Sequence, residues 1–141
     1  MAYSHRQIAL VWFVLADAVG LGGLALLAFV GDPYVATGVI LIVVSLVVIA
    51  FALLRSKVED GRVSATFTLG WPSHRIELSD IEQVEIVRNS GWEGWGLRKI
   101  RGGWMYNVWG LDAVEITRRN GTKFRIGTDD PQGLYAALQG R

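Results

Sequence analysis

The chain has no cysteine, three prolines and two histidines among its 141 residues. Without cysteine there is no disulfide scaffold, thiolate zinc site, iron–sulfur cluster or thiol nucleophile. Charge is also scarce, at 19% of residues against 51% hydrophobic. Such a chain is too apolar to be disordered. A net charge of +1 is not that of a general nucleic-acid binder, and no nucleic-acid partner is expected. The length suits one domain plus a small accessory element rather than a multidomain enzyme.

These averages conceal two unlike parts. Ile8 to Val30 contains one charge, Asp17, and Val35 to Leu54 contains none. At about 1.5 Å per residue either run would make a helix as long as the roughly 30 Å hydrocarbon core of a bilayer. Gly31-Asp32-Pro33-Tyr34 lies between them. Gly and Pro stop one helix and restart the next, and so short a link makes the two antiparallel neighbours. The expectation is a transmembrane hairpin over residues 1–56, with spans at about 8–30 and 35–54. Arg6 precedes the first span, Arg55 and Lys57 follow the second, and the link carries only Asp32. The positive-inside rule then places both termini in the cytoplasm, in a multi-pass protein of the cell (inner) membrane. The competing reading of residues 1–30, a cleaved signal peptide, lacks an A-x-A site and is followed at once by a second apolar run.

A carboxylate within a span is costly and asks for a partner. Counted from the link, Asp17 and Ser45 fall within about one helical turn of the same depth, so they are candidates for an intramembrane helix contact. Ala16-xxx-Gly20 and Ala18-xxx-Gly22 are small-residue spacings that let helices, or two copies of the chain, approach closely. Asp17 could instead serve transport or pair with a partner's helix.

From Arg55 onward the hydrophobic period falls to two. Val63, Ala65, Phe67 and Leu69 alternate with polar residues, as do Arg75–Leu78 and Ala113–Arg118. Asp60-Gly61 and Asn120-Gly121 are turn signals. Thr128-Asp129-Asp130-Pro131 opens a helix on which Leu134, Tyr135 and Leu138 recur. The fold class is α+β: a two-helix hairpin, then an antiparallel β roll of about seven strands over 57–141, closed by a C-terminal capping helix. That order suits a pleckstrin-homology (PH)-like fold.

Gly94-Trp95-Gly96-Leu97-Arg98, Gly103-Trp104-Met105-Tyr106-Asn107-Val108, Gly110, Val114-Glu115-Ile116 and Gly127-Thr128-Asp129-Asp130-Pro131 resemble small bacterial membrane proteins in which two N-terminal helices precede a bacterial PH-like domain. The resemblance covers residues from about 57 to 139. It implies a membrane-tethered binding or assembly domain, and it assigns no residue a role.

Residues 88–110 hold four of the six tryptophans and six glycines. Three readings of this segment stay open. It could be a lipid-facing rim, with Trp92 and Trp95 as wedges and Arg98, Lys99 and Arg101 drawn to anionic headgroups. It could be a protein-partner surface, because Trp, Tyr and Arg dominate interface hot spots. It could be structural, with Trp104 and Trp109 in the core and the charges solvated.

Enzyme signatures are absent, and no catalytic activity is expected. Gly94-Trp95-Gly96-Leu97-Arg98-Lys99 lacks the last glycine of a dinucleotide loop and is not a Walker sequence. His5 and His74 stand apart, His74 in an expected exposed turn after Pro72, and no metal or cofactor is implied. Glu82 and Glu85 fit a solvated strand face. The expected function is a non-catalytic, membrane-anchored binding or assembly module. Its partners would be the bilayer, anionic headgroups, a protein or another copy of itself. The alternative is a small accessory subunit of a transport or secretion complex, recognised through its hairpin.

Overall fold

The computed structural model describes residues 2–30 and 32–140; Gly31, expected to stop the first helix, lies outside them. The chain forms two units. One is Ala9–Ala52, and the other takes in the strand before it and the chain after it.

The first unit is a helical hairpin. Helix α1 (Leu10–Ala25) runs on into a π turn (Leu26–Val30), and α2 (Val35–Ala50) returns alongside it. Through Leu10–Val30 the helix is long and apolar enough to cross a membrane. Helix α2 has 16 residues, or about 24 Å, short of the roughly 30 Å hydrocarbon core. The second apolar run is thus shorter than the expected 35–54, because Leu53 and Leu54 belong to a strand and Leu54 is buried in the β core. The helices meet on small residues. At Gly23 a Cβ would lie 2.7 Å from the Gly38 carbonyl oxygen, and at Gly38 one would lie 2.8 Å from that of Gly23. Ala16 is buried on α1, and Gly20 faces the Ser45 hydroxyl. Ala16-xxx-Gly20 therefore makes the contact, whereas Ala18 and Gly22 are exposed. Leu21, Phe29, Ile40 and Leu46 point outward, so the hairpin is apolar on every side, a pattern that demands cover by lipid or protein.

Among the described residues the second unit holds nine strands. Strands β1 (Tyr3–Ile8), β2 (Leu53–Glu59), β3 (Arg62–Phe67) and β4 (Ser73–Glu77) form an antiparallel sheet in that order. A 3₁₀ turn (Leu78–Asp80) leads to β5 (Ile81–Arg88), β6 (Gly96–Ile100), β7 (Gly103–Asn107), β8 (Asp112–Arg118) and β9 (Lys123–Gly127). These five pair in the order β5-β8-β9-β7-β6.

Two sheets and a closing helix agree with the expected α+β class, but the details differ. The described residues form nine strands rather than about seven, and β7 and β9 run parallel. The extra strand at the start was read only as a charged flank. Its alternation of Tyr3, His5 and Gln7 inward with Ser4, Arg6 and Ile8 outward is the strand period. Residues 2–8 and 53–56 accordingly fold with the β unit, which moves the division from residue 56 to the two ends of Ala9–Ala52.

Leu54, Val63 and Phe67 of one sheet and Val114, Ile116 and Ile126 of the other are buried, as are Leu134 and Leu138 of α3 (Pro131–Gln139). The Phe67 and Phe124 rings each lie 5.0 Å from Tyr106. Asp130 caps α3, accepting from Gly133 N at 3.0 Å, as the opening residues foretell. Tyr3 Oη donates to Asp130 Oδ2 at 3.1 Å, tying β1 to that helix.

His74 is not in an exposed turn. Strand alternation sets it opposite Ala65, with its ring 4.2 Å from Phe124. Burial, with Arg118 nearby, pushes its pKa below 6.5. The unfolded chain therefore binds the proton better, and stability is full above about pH 6.5 and falls as pH drops toward the folded value. Thermal unfolding between pH 7 and 5 should show this slope, and His74→Gln should flatten it.

Helix packing gives a second test. The pair Gly23→Ala and Gly38→Ala should destabilise the detergent-solubilised protein by about 1–3 kcal/mol in thermal unfolding. Gly22→Ala, whose Cβ meets nothing within 4 Å, should be neutral or stabilising.

Candidate functional site

The segment expected to matter is a loop folded over the outer face of the five-stranded sheet. Ser90 and Glu93 bind each other reciprocally: Ser90 N donates to Glu93 Oε2 at 2.6 Å, and Glu93 N donates to Ser90 O at 3.1 Å. This closes a turn with Trp92 at its tip, 99% exposed. Its anchor is Arg125. The guanidinium donates to Glu93 Oε1 at 3.0 Å, to Asn89 Oδ1 at 2.8 Å and to Glu115 Oε2 at 2.6 Å. Lys123 Nζ reaches Glu115 Oε1 at 2.6 Å. Glu115 and Arg125 are direct cross-strand partners on β8 and β9.

Burial alone would raise the Glu115 pKa, but hydrogen bonds from Lys123 and Arg125, with their charges, hold it below 4.5. Glu93 is also lowered, first by the Ser90 backbone N–H and then, against its burial, by Arg125. Asn107 fixes the far side of the loop, donating to the Gly110 carbonyl at 3.1 Å.

The five residues expected to share this surface do not share one. Trp95 stacks on Trp109, with centroids 5.4 Å apart and planes 13° off parallel. Arg98 Nε donates to the Trp95 carbonyl at 3.0 Å. Lys99, next along β6, points to the opposite face, and Arg101 lies in the turn beyond the strand. Trp104 and Trp109, expected in the core, are each about half exposed. A five-residue strand that alternates its side chains cannot gather 98, 99 and 101 on one face.

Asp17 and Ser45 part company too. Ser45 is buried against Gly20, while Asp17 is on the exposed side of α1 and none of the described hydrogen bonds joins the two.

A different cluster comes together on the four-stranded sheet. Ile8 pairs with Leu53, so both connections to the apolar hairpin leave from one end of this sheet. The β3–β4 turn lies at the same end, because Leu54 pairs with Phe67; its Leu69 and Trp71 are 76% and 77% exposed. Gln7 Nε2 donates to the Trp109 carbonyl at 2.9 Å, which brings the Trp95–Trp109 stack to that end as well.

On the sheet's outer face, cross-strand register builds rows. Arg6, Arg55, Thr66 and Ser73 form one; Ser4, Lys57, Ser64 and Arg75 form the next; Glu59, Arg62 and Glu77 form the third. A concavity of about 380 Å³ on this face is lined by Arg55, Lys57, Ser64, Thr66 and Arg75, with Glu59 and Asp60 at one end. Lys57 pairs with Glu59 and Arg62 with Glu77, but Arg6, Arg55 and Arg75 have no carboxylate partner among the described residues. Arg55 Nε is buried without a hydrogen-bond partner among them. Guanidinium and hydroxyl groups so arranged can hold an oxyanion.

Sequence reasoning took Arg6, Arg55 and Lys57 for topology signals and passed over Arg75. The signal was partial: the Asp60-Gly61 turn fixes the β2–β3 register and so sets Arg55 beside Thr66 and Lys57 beside Ser64, but no local feature aligns Arg6 or Arg75 with them. No group of three His, Cys, Asp or Glu residues placed to hold a metal occurs among the described residues.

No protein-family model matches the chain, and no curated protein matches it either.

Arg125→Met should destabilise the β unit by about 1.5–3 kcal/mol, because buried Glu115 keeps Lys123 as a charged partner but loses its hydrogen bonds from the guanidinium. Denaturant unfolding would measure this, and tryptic cleavage after Arg88 should become faster as the loop comes free. Adding Glu115→Met should restore most of the stability but leave the loop susceptible.

Proposed function

We propose that the chain is a membrane-anchored, non-catalytic binding or assembly module. In this reading the hairpin crosses the membrane twice, and a PH-like β domain works at the cytoplasmic face of the cell membrane. The carrying observation is convergence at one end of the β domain. The connections to the hairpin leave from paired residues Ile8 and Leu53, and exposed Leu69 and Trp71 lie at that same end. Wherever α1 goes, α2 must bring the chain back to within one strand spacing of its start, about 5 Å. That favours two crossings with both termini on one side. A helix shorter than the bilayer core is accommodated by local thinning or flanking residues. Arg6, Arg55 and Lys57 beside the hairpin, against Asp32 in its link, favour the cytoplasmic side. Two sheets closed by one helix support the PH-like assignment.

The alternative, an accessory subunit of a transport or secretion complex recognised through the hairpin, draws on one observation. Asp17 is exposed on α1, where a partner's helix could supply its hydrogen bond.

The test is fractionation of bacterial cells expressing the full chain. Carbonate-washed membranes should retain the protein. Protease should cut the β domain in inverted vesicles and spare it in intact spheroplasts. Recovery in the carbonate supernatant overturns the anchored reading, and cleavage in spheroplasts overturns the cytoplasmic one.

A further inference from the structure

We infer that the outer face of the four-stranded sheet binds the phosphate groups of anionic phospholipids, with Leu69 and Trp71 seated in the membrane interface at its lip. This rests on the anchored reading above.

The rows on this face are graded. The Ile8–Leu53 pair is apolar and adjoins the hairpin. The next row carries Arg6, Arg55, Thr66 and Ser73, and the one after it Lys57, Arg75, Ser4 and Ser64. The carboxylates of these rows, Glu59 and Glu77, stand in the last one, farthest along the strands from the Ile8–Leu53 pair, and Asp60 lies in the turn beyond it. Same-face rows are two residues apart, about 6.7 Å. The headgroup layer is about 5–8 Å deep on each side of a bilayer. A sheet rising from the hydrocarbon edge at Ile8–Leu53 therefore has its first basic row among the phosphates. Its second row, about 13 Å along the strands, stands beyond the headgroup layer and reaches back to it through the long side chains of Lys57 and Arg75, and the carboxylates are in water. A protein ligand or a soluble anion would give no reason for this order along the strands.

The face is also prepared for a phosphate. Three arginines lack a carboxylate partner among the described residues, and Arg55 Nε is a buried donor without an acceptor there. Thr66 and Ser73 hydroxyls lie 3.1 Å apart in the same row as Arg6 and Arg55. A concavity of about 380 Å³ admits a headgroup. The adjoining turn supplies the lipid-side half of the contact: Trp71 is a residue type that settles at headgroup depth.

The test uses the full chain in nanodiscs of equal phosphatidylglycerol and phosphatidylcholine. Lipids that stay bound after mild detergent extraction are quantified by mass spectrometry. Phosphatidylglycerol should be enriched about tenfold or more over phosphatidylcholine. Replacing Arg6, Arg55 and Arg75 by Gln should abolish the enrichment, since each cation near an anionic surface is worth roughly fivefold. R6Q/R75Q changes only exposed side chains and should lose most of it even if Arg55→Gln impairs folding. Equal retention of both lipids, or enrichment unaffected by these variants, overturns the inference while the protein remains disc-bound. Displacement of phosphatidylglycerol by millimolar inorganic phosphate assigns the face to a soluble anion and overturns it also. Failure to enter nanodiscs at all overturns the anchored reading, and this inference with it.

Discussion

Antiparallel pairing of β1 with β2 is the constraint on which the rest depends. These strands are separated in sequence by the whole apolar hairpin, yet they are ladder partners from Tyr3–Val58 to Ile8–Leu53. A long insertion costs little loop-closure entropy when it is itself folded back on its own start. The hairpin supplies that closure through the Gly23–Gly38 crossing and the Ala9 N–H bonded to the Ala52 carbonyl at 2.9 Å. The ladder in turn aligns the rows of the outer face, sends Gln7 to Trp109, and lets Tyr3 reach the cap of α3.

The second organising feature is ionic. Arg125 lies between two carboxylates and Asn89, on the side of the five-stranded sheet away from the aromatic core. A buried pair of this kind adds little net stability over an apolar one, but it specifies which groups meet. Here it determines that the Ser90–Glu93 turn lies on the sheet instead of waving free, and so holds Trp92 outward and brings Trp95 to its partner ring.

Much of the fold was legible in the sequence, and what was missed has physical causes. Period-two alternation located β3, β4 and β8, Asp60-Gly61 and Asn120-Gly121 marked real hairpins, and Asp130-Pro131 opened α3. These are local signals, decided by turn chemistry and by which face is buried. Strand β1 was missed because its inward residues, Tyr3, His5 and Gln7, are polar and satisfied by partners more than 100 residues away. The end of α2 was overrun because Leu53 and Leu54 are as apolar as any lipid-facing pair. Only the β core distinguishes their destination. Of the candidate site, Trp92 and Trp95 were recognised as unusual, but the basic rows were not. A surface assembled across four strands is written one or two residues at a time, and it becomes visible only once register is known.

The placement of β1 has a consequence for biosynthesis. When this strand leaves the ribosome it has no neighbour, because β2 follows only after Ala9–Ala52. At roughly 5–20 residues per second, it waits for several seconds with one polar edge unclaimed. The sheet can close only once the intervening segment has been made and β2 has followed it.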